Sequence, residues 1–431
     1  MYRKIMQYLK DWKASPFRKP LILQGARQVG KTYAILEFGR ICYENVAYFN
    51  FETDPKLAKT FEENISPDYL IPILSHIAGQ TIVREKTLIV LDEVQLCERA
   101  LTSLKYFCEN APDYHIIVAG SLLGVAVNRT KFSFPVGKVD MKTLYPMDIE
   151  EFMLALGEDA LVAQIKTCFE TNTPLPVALH EAALMLYRQY LVVGGMPECV
   201  LQYAATKDYI LVRHTQDTIL TSYLSDMSKY NTANEIKKTR LTYDNITVQL
   251  SKKNTRFQYK LIKKGGRASE FENAIEWLCL SGIVSKVYRA EQIKKPLENY
   301  RDIDAFKIYV SDLGLLCAKK DLNANDILYM VDELDDFKGG MTENYVQVQL
   351  ATNGYATYYW ESDRGAEVDF IIQREGNLIP IEVKSADNTR AKSLAVYMNT
   401  YHPAYAIKLS SKNFGFEDDK KIVPLYAAFC I

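Results

Sequence analysis

Residues 25–32 read Gly-Ala-Arg-Gln-Val-Gly-Lys-Thr, and they constrain this chain more than any other stretch of it. An apolar run, Leu21-Ile22-Leu23-Gln24, leads into them, and a helical pattern from Thr32 to about Arg40 leads out. The spacing is G-x-x-x-x-G-K-[ST] in full, between a strand and a helix, which is the context such a loop needs. Gly25 and Gly30 let the backbone curl, so that the N–H groups of Gly25, Ala26, Arg27, Gln28, Val29 and Gly30 converge on one anion. The following helix adds its partial positive charge at the same point. A triphosphate is the anion that fits. Lys31 reaches its β and γ phosphates, and the Thr32 hydroxyl holds Mg²⁺. ATP and Mg²⁺ are therefore the expected ligands.

A second element supports the first. Thr87-Leu88-Ile89-Val90-Leu91-Asp92-Glu93 is an apolar strand ending in two carboxylates. A buried parallel strand brings its C-terminal end to the ligand crevice of its sheet. Asp92 is expected to hold Mg²⁺ through water, and Glu93 to polarise the attacking water. Val46 to Phe51 and Tyr114 to Ser121 read as further strands, and Lys138-Val139-Asp140-Met141 as a fifth.

Gly25 to Thr32, the LDEVQ run from Leu91 to Gln95, the Gly120-Ser121 pair and the TLYPMDIEEF segment from Thr143 to Phe152 together resemble a family of bacterial and archaeal AAA+-type ATPases. In that family a domain of unknown function follows the ATPase. The resemblance continues through YLVVGGMPECV, Tyr190 to Val200, and IYVSDLGLLCA, Ile308 to Ala318, so it covers almost the whole chain. It implies an extra strand between the P-loop strand and the acidic strand. It also implies a polar sensor near the γ-phosphate, a role that Ser121 fits alongside its reading as a helix cap. Lys31, Glu93 and Ser121 are then the expected catalytic set. Family members often carry Gly-Arg where this chain has Gly137-Lys138. A lysine lacks the bidentate fork of a transition-state arginine, and Arg129 is the nearby alternative.

Composition narrows the class further. The chain has 431 residues, 48% of them hydrophobic and 24% charged, with a formal net charge of -1. That mix supports two to four globular domains and excludes a chain that is polybasic overall. The eight cysteines are scattered without C-x-x-C spacing, which argues against zinc and suits a reducing, cytoplasmic setting. The N-terminal MYRKIMQYLKDWKASPF is amphipathic and lacks a signal-peptide core. No apolar run is long enough to span a membrane.

From about Glu150 to Lys229 apolar residues recur at three- and four-residue spacing, predicting helices that either form a lid over a nucleotide or pack plainly. Gly194-Gly195-Met196-Pro197 interrupts them like a hinge. Thr232 to Ala290 reads as a winged helix, with Ile246–Ser251 in its first helix, Ala268–Ser281 as the second and Gly282–Tyr288 as a wing strand. Between these helices lie Lys252, Lys253, Arg256, Lys260, Lys263, Lys264 and Arg267, with Phe257 and Tyr259 interleaved and no acidic residue. Such a patch suits the phosphate backbone of double-stranded DNA; a solvated charged face or a protein-docking surface suits the same pattern.

The last region carries a spaced constellation. Glu343 lies in a helical segment, Asp369 enters a strand, and Leu378-Ile379-Pro380-Ile381-Glu382-Val383-Lys384 is the next strand. Glu382 and Lys384 are two apart and share a face. The arrangement resembles the PD-(D/E)xK nuclease fold, which implies Mg²⁺ held by Glu343, Asp369 and Glu382 with Lys384 orienting water. The same fold also serves as a binding module. Tyr358, Tyr359 and Trp360 are expected in the core rather than stacked on bases.

The expected architecture is α/β. It comprises an AAA+-like P-loop three-layer sandwich over residues 1–150, a helical lid over 151–230, a winged helix over 231–290 and a restriction-endonuclease-like domain over 291–431. The expected function is an Mg²⁺-dependent ATPase that couples nucleotide state to DNA or to a partner, which includes a homo-oligomer. Two alternatives stand beside it: a nucleotide-dependent assembly switch without DNA, and an ATP-regulated nuclease.

Overall fold

Leu21, Ile22 and Leu23 are wholly buried because β1 (Leu21–Gln24) has a parallel strand on each side. Strands covered on both faces read as continuous apolar runs rather than alternating ones. β3 (Thr87–Asp92) and β4 (His115–Ala119) obey the same rule, with every residue buried. The computed structural model describes residues 1–120, 134–229, 233–250, 256–331, 334–385 and 392–431. It divides the chain into two units, Met1–Tyr145 with Leu280–Gly282, and Pro146–Cys279 with Ile283–Ile431.

In the first unit α1 (Ile5–Ala14), α2 (Lys31–Cys42), α3 (Pro55–Glu63), α4 (Pro67–Ala78) and α5 (Glu98–Asn110) accompany five strands. β2 (Asn45–Asn50) and β5 (Asp140–Thr143) complete the sheet, whose order is β2-β3-β4-β1-β5. β4 therefore separates the P-loop strand from the acidic strand, as the resemblance implied. A core of Phe49, Phe51, Phe61, Leu70, Leu104 and Phe107 joins β2 to the helices beside it. Each such side chain contributes about 1.5–3 kcal/mol on burial. β5 begins two residues later than expected, because its register is set by β1: Leu21 pairs with Asp140 and Gln24 with Thr143. Lys138 stays in the preceding turn, its ammonium 2.9 Å from Glu109. The amphipathic N-terminal segment forms α1, burying Ile5, Leu9 and Trp12 at helical spacing.

The second unit starts with helices α6 (Ile149–Ala155), α7 (Asp159–Thr171), α8 (Val177–Val193), α9 (Pro197–Thr206) and α10 (Tyr209–Lys229). The expected hinge at Gly194–Pro197 is instead a packed joint. Asp312 accepts the Gly195 N–H at 2.6 Å and the Leu315 N–H at 2.8 Å, which caps α14 (Leu313–Lys319). Gly195 O in turn accepts from Met147 N at 2.6 Å, and Tyr190 donates to Met147 O at 2.8 Å. Burial pushes the Asp312 carboxyl up to about 6, against the pull of the backbone donors around it. Glycine is required here by close approach: a Cβ on Gly195 would lie 2.0 Å from Met147 O.

Next come α11 (Ala233–Leu250), α12 (Tyr259–Ile262), α13 (Ala268–Leu280) and the antiparallel pair β6 (Val284–Ala290) and β7 (Arg301–Val310). α14, α15 (Ala324–Leu328) and α16 (Asp335–Thr352) follow. The chain ends with β8 (Tyr358–Glu361), β9 (Glu367–Arg374), β10 (Asn377–Val383), α17 (Lys392–Tyr401), β11 (Ala406–Ser410), β12 (Gly415–Glu417) and β13 (Lys420–Pro424). Eight strands form one sheet in the order β12-β13-β11-β10-β9-β8-β6-β7. β6 pairs with β8 in parallel, so this sheet runs across the division expected between residues 290 and 291. Tyr359 and Trp360 are buried within it.

Gly195→Ala is expected to lower stability by about 1–3 kcal/mol through overpacking. Gly339→Ala, at an exposed helix position where a Cβ meets nothing within 4 Å, should be neutral or slightly stabilising. Urea denaturation of the two variants checks this; equal midpoints would dismiss the joint.

Candidate functional site

Three residues of the loop after β1 take positive φ: Gly25 at 150°, Gln28 at 64° and Gly30 at 89°. Gly25 also has no room for a side chain, since a Cβ there would lie 2.2 Å from Leu144 O. That carbonyl is fixed because Leu144 N donates to Gln24 O at 2.7 Å, continuing the β1–β5 ladder. Ala26 and Val29 are buried and anchor the loop, while Arg27 is half-buried and Gln28 is exposed. Arg3, ahead of α1, donates to Val29 O at 3.0 Å and to Tyr145 O at 2.8 Å, a support that no local sequence pattern announces. Lys31 is 8% exposed, and its ammonium donates to Gly25 O at 2.9 Å and Ala26 O at 2.8 Å. The charge is thus held against the loop whose amides would meet phosphate.

Asp92, at the end of β3, is 4% exposed. Its Oδ2 accepts the Thr32 hydroxyl at 2.7 Å and the Tyr48 hydroxyl at 2.9 Å. Its Oδ1 accepts the Glu93 N–H at 2.9 Å. Asn50, the register partner of Asp92 on β2, donates to Tyr48 Oη at 3.1 Å. Burial, with Asp92 and Glu93 nearby, pushes the Tyr48 phenol up to about 12, so it serves as a donor. A hydroxyl and a carboxylate side by side are the hard oxygen donors that Mg²⁺ prefers. The ion needs only one or two protein groups when phosphate and water complete its shell. Thr32 and Asp92 therefore fit the metal. Glu93 sits in the left-handed region at φ 52°, and the Gln95 amide donates to its Oε2. A non-glycine residue in that region stores strain of a kind that clusters at functional sites.

Tyr48 and Asn50 were not singled out from the sequence. The usable signal was the alternation in Asn45–Asn50, which puts two polar side chains on one face at the C-terminal end of a parallel strand. Ser121 and Arg129 lie outside the described residues.

Of the basic patch, Lys252 and Lys253 also lie outside the described residues. Arg256, Lys260, Lys263, Lys264 and Arg267 are exposed. Lys263 stands 3.3 Å from Glu270. Phe257 and Tyr259 do not provide the expected aromatic footing. Phe257 is buried and stacks on Phe306 with centroids 5.6 Å apart, and Tyr259 meets both rings edge-on. Hydrophobic burial draws Phe257 into the core beside β7 and leaves Tyr259 half-buried at its edge.

The C-terminal constellation does converge. β9 and β10 form an antiparallel hairpin in which Phe370 pairs with Ile381, and Asp369 and Glu382 follow one step beyond. Asp369 Oδ2 accepts the Val383 N–H at 2.7 Å. Glu382 Oε1 lies 2.5 Å from Lys384 Nζ, an ion pair along one face of the chain. Burial, then Glu343 and Glu382, push the Asp369 carboxyl well above the usual carboxylate range. Burial likewise raises Glu382 against the pull of Lys384. The expected Mg²⁺ site is not met, however. Among the described residues no group of three His, Cys, Asp or Glu is placed to hold a metal ion. The physical reason is Lys307, an unforeseen ammonium inside the cluster, 3.4 Å from Glu343 and paired with Glu367. With that fixed positive charge among them, these carboxylates do not fit the ion.

Residues 17–153 match the sequence model of a family described as AAA domain. With the complete P-loop motif and the sheet order, this makes the first unit an AAA-type P-loop ATPase domain. Residues 184–326 match a domain of unknown function (DUF8612), and residues 338–428, which include the carboxylate constellation, match another (DUF4143). No curated protein matches the chain. Among solved structures the chain is similar to a Walker-type ATPase of Pyrococcus abyssi, at 13% identity over 73% of this chain and 94% of that one, with a TM-score of 0.44. It is also similar to the ORC2 protein of Aeropyrum pernix in its ADPNP–ADP complexes, at 13% identity over 77% and 91%, with a TM-score of 0.33. The ORC1 protein of Aeropyrum pernix in complex with DNA gives 12% identity over 74% and 91%, with a TM-score of 0.30. No described helix is long and apolar enough to cross a membrane.

Tyr48→Phe removes one donor from Asp92 while leaving the packing of β2 intact. The Mg²⁺ concentration that half-saturates nucleotide binding should change by about 10-fold or more, the size of one hydrogen bond to a charged group. Titration of Mg²⁺ at fixed ATP reads this out; an unchanged midpoint would show that Tyr48 does not tune the carboxylate.

Proposed function

We propose that the chain binds Mg-ATP at residues 25–32, hydrolyses it, and couples its nucleotide state to contact with double-stranded DNA. The observation that carries the ATP half is the 2.7 Å hydrogen bond between Thr32 and Asp92. It joins the last residue of the phosphate loop to the acidic strand, the two groups that would hold the ion. In this reading Lys31 leaves the loop carbonyls to meet the β and γ phosphates. Thr32 and Asp92 hold Mg²⁺, directly or through water. Glu93, oriented by Gln95, polarises the attacking water, and Ser121 senses the γ-phosphate. Mg²⁺ supplies charge neutralisation for the leaving phosphate.

The DNA half rests on the exposed cations Arg256, Lys260, Lys263, Lys264 and Arg267. They lie on and around α12, between α11 and α13, and β6, which overlaps the expected wing strand Gly282–Tyr288, follows α13. Phosphate contacts need clustered cations and no base-stacking aromatics, so the burial of Phe257 and the edge-on packing of half-buried Tyr259 favour affinity without sequence preference. That same observation favours a second reading, in which the patch meets an acidic protein surface, another copy of this chain included, and ATP works as an assembly switch.

Lys31→Ala is expected to lose ATP binding by roughly 30- to 100-fold, the effect of deleting a charged donor. Glu93→Gln should bind ATP normally but slow phosphate release by about 100-fold or more. Nucleotide titration and phosphate release measured together separate the two; normal turnover in Glu93→Gln would remove it as the base. For DNA, neutralising Lys260, Lys263 and Lys264 should reduce the slope of log affinity on log salt by about 2–3. Affinity with no salt dependence in the unsubstituted chain would transfer support to the assembly switch.

A further inference from the structure

Ala305 to Val310 is a buried stretch of β7 carrying a single charge, Lys307, which is 1% exposed. A buried ammonium persists only with partners that replace its water. It has them. Its Nζ lies 3.4 Å from Glu343 Oε2 on α16, pairs with Glu367 at the start of β9, and sits 5.1 Å above the Tyr359 ring centroid on β8. Tyr309, two residues on and therefore on the same face of β7, donates to that same Glu343 oxygen at 3.1 Å. The lysine thus reaches across the sheet from its edge strand into the carboxylate cluster. The other acids are engaged in part, since Glu382 Oε2 is buried without a hydrogen-bond partner among the described residues. Asp369 takes the Val383 N–H, and one oxygen of Glu382 takes Lys384.

We propose that Lys307 is the resident cation of this cluster, holding Glu343 and Glu367 together beside Asp369 in place of a divalent metal ion. Mg²⁺ demands an octahedral shell of oxygens and gives up water reluctantly. To enter here it would have to displace Lys307 from Glu343 and Glu367, or stand beside its fixed positive charge. The ammonium satisfies the acids without dehydrating an ion and makes the cluster indifferent to divalent cations. The C-terminal sheet then presents a preformed charge cluster that resembles a metal-dependent hydrolytic site in its residues but not in its chemistry. The inference is independent of the ATP site.

The test uses the full chain without nucleotide, carrying Asp92→Asn so that the first unit takes up no metal. Mn²⁺ is the probe, and loss of the free-ion electron paramagnetic resonance signal is the readout. Uptake should be the same with and without an added Asp369→Asn. Adding Lys307→Met should create one site with affinity about tenfold or more above that background, the effect of removing one like charge, and Asp369→Asn should abolish it. One equivalent of Mn²⁺ bound with Lys307 in place, and lost on Asp369→Asn or Glu382→Gln, would overturn the proposal. So would a folded Lys307→Met chain that gains no site. If Lys307→Met does not fold, the comparison of Asp92→Asn with and without Asp369→Asn still decides: equal uptake supports the lysine, and lost uptake overturns it.

Discussion

The candidate ATP site turns on one buried carboxylate. Asp92 ends a strand with no exposed residue, so it has given up most of its water and must be satisfied by protein donors. Thr32, Tyr48 and the Glu93 amide supply them. Each comes from a different segment: the start of the P-loop helix, the neighbouring strand and the residue after Asp92 itself. Satisfying this one group therefore fixes the spacing between the phosphate loop and the acidic strand. The positive-φ glycines and the parallel register matter because they deliver those donors to it.

Two carboxylate sites of the second unit are satisfied differently. Asp312 is satisfied by backbone amides, and the result is a rigid joint between the Gly194–Pro197 loop, Met147 and the start of α14. Glu343 and Glu367 are satisfied by Lys307. Backbone donors fix position without carrying a charge. An ammonium fixes both position and charge, and so settles what else can bind. A hydroxyl and a phenol, as at Asp92, bring no charge of their own to the carboxylate.

The exposed cations on and around α12 illustrate how burial sorts a mixed segment. Residues 256–267 alternate charge and aromatic character in a way that suggests a single composite surface. Folding separates the two. Phe257 joins Phe306 in the core with Tyr259 half-buried against both, while the long basic side chains stay in water. A face made mostly of lysine and arginine attracts polyanions through charge, and such attraction falls with salt.

The P-loop, the acidic strand and the α/β character of the first unit were legible in the sequence because they are local. A motif, a strand and a helix lie within a few residues of one another, and period and glycine placement report them directly. The helical stretch after residue 150 and the β9–β10 hairpin were legible for the same reason. The contacts of Tyr48, Arg3 and Lys307 were not, because each depends on a partner at least 26 residues away. A lysine in an apolar strand says only that a counter-charge must exist, not where. Tertiary structure alone decided that Gly194–Pro197 is a joint, that Phe257 is core, and that an ammonium stands within the carboxylate cluster. Burial makes polar groups choose partners, and those partners come from packing rather than from sequence neighbours.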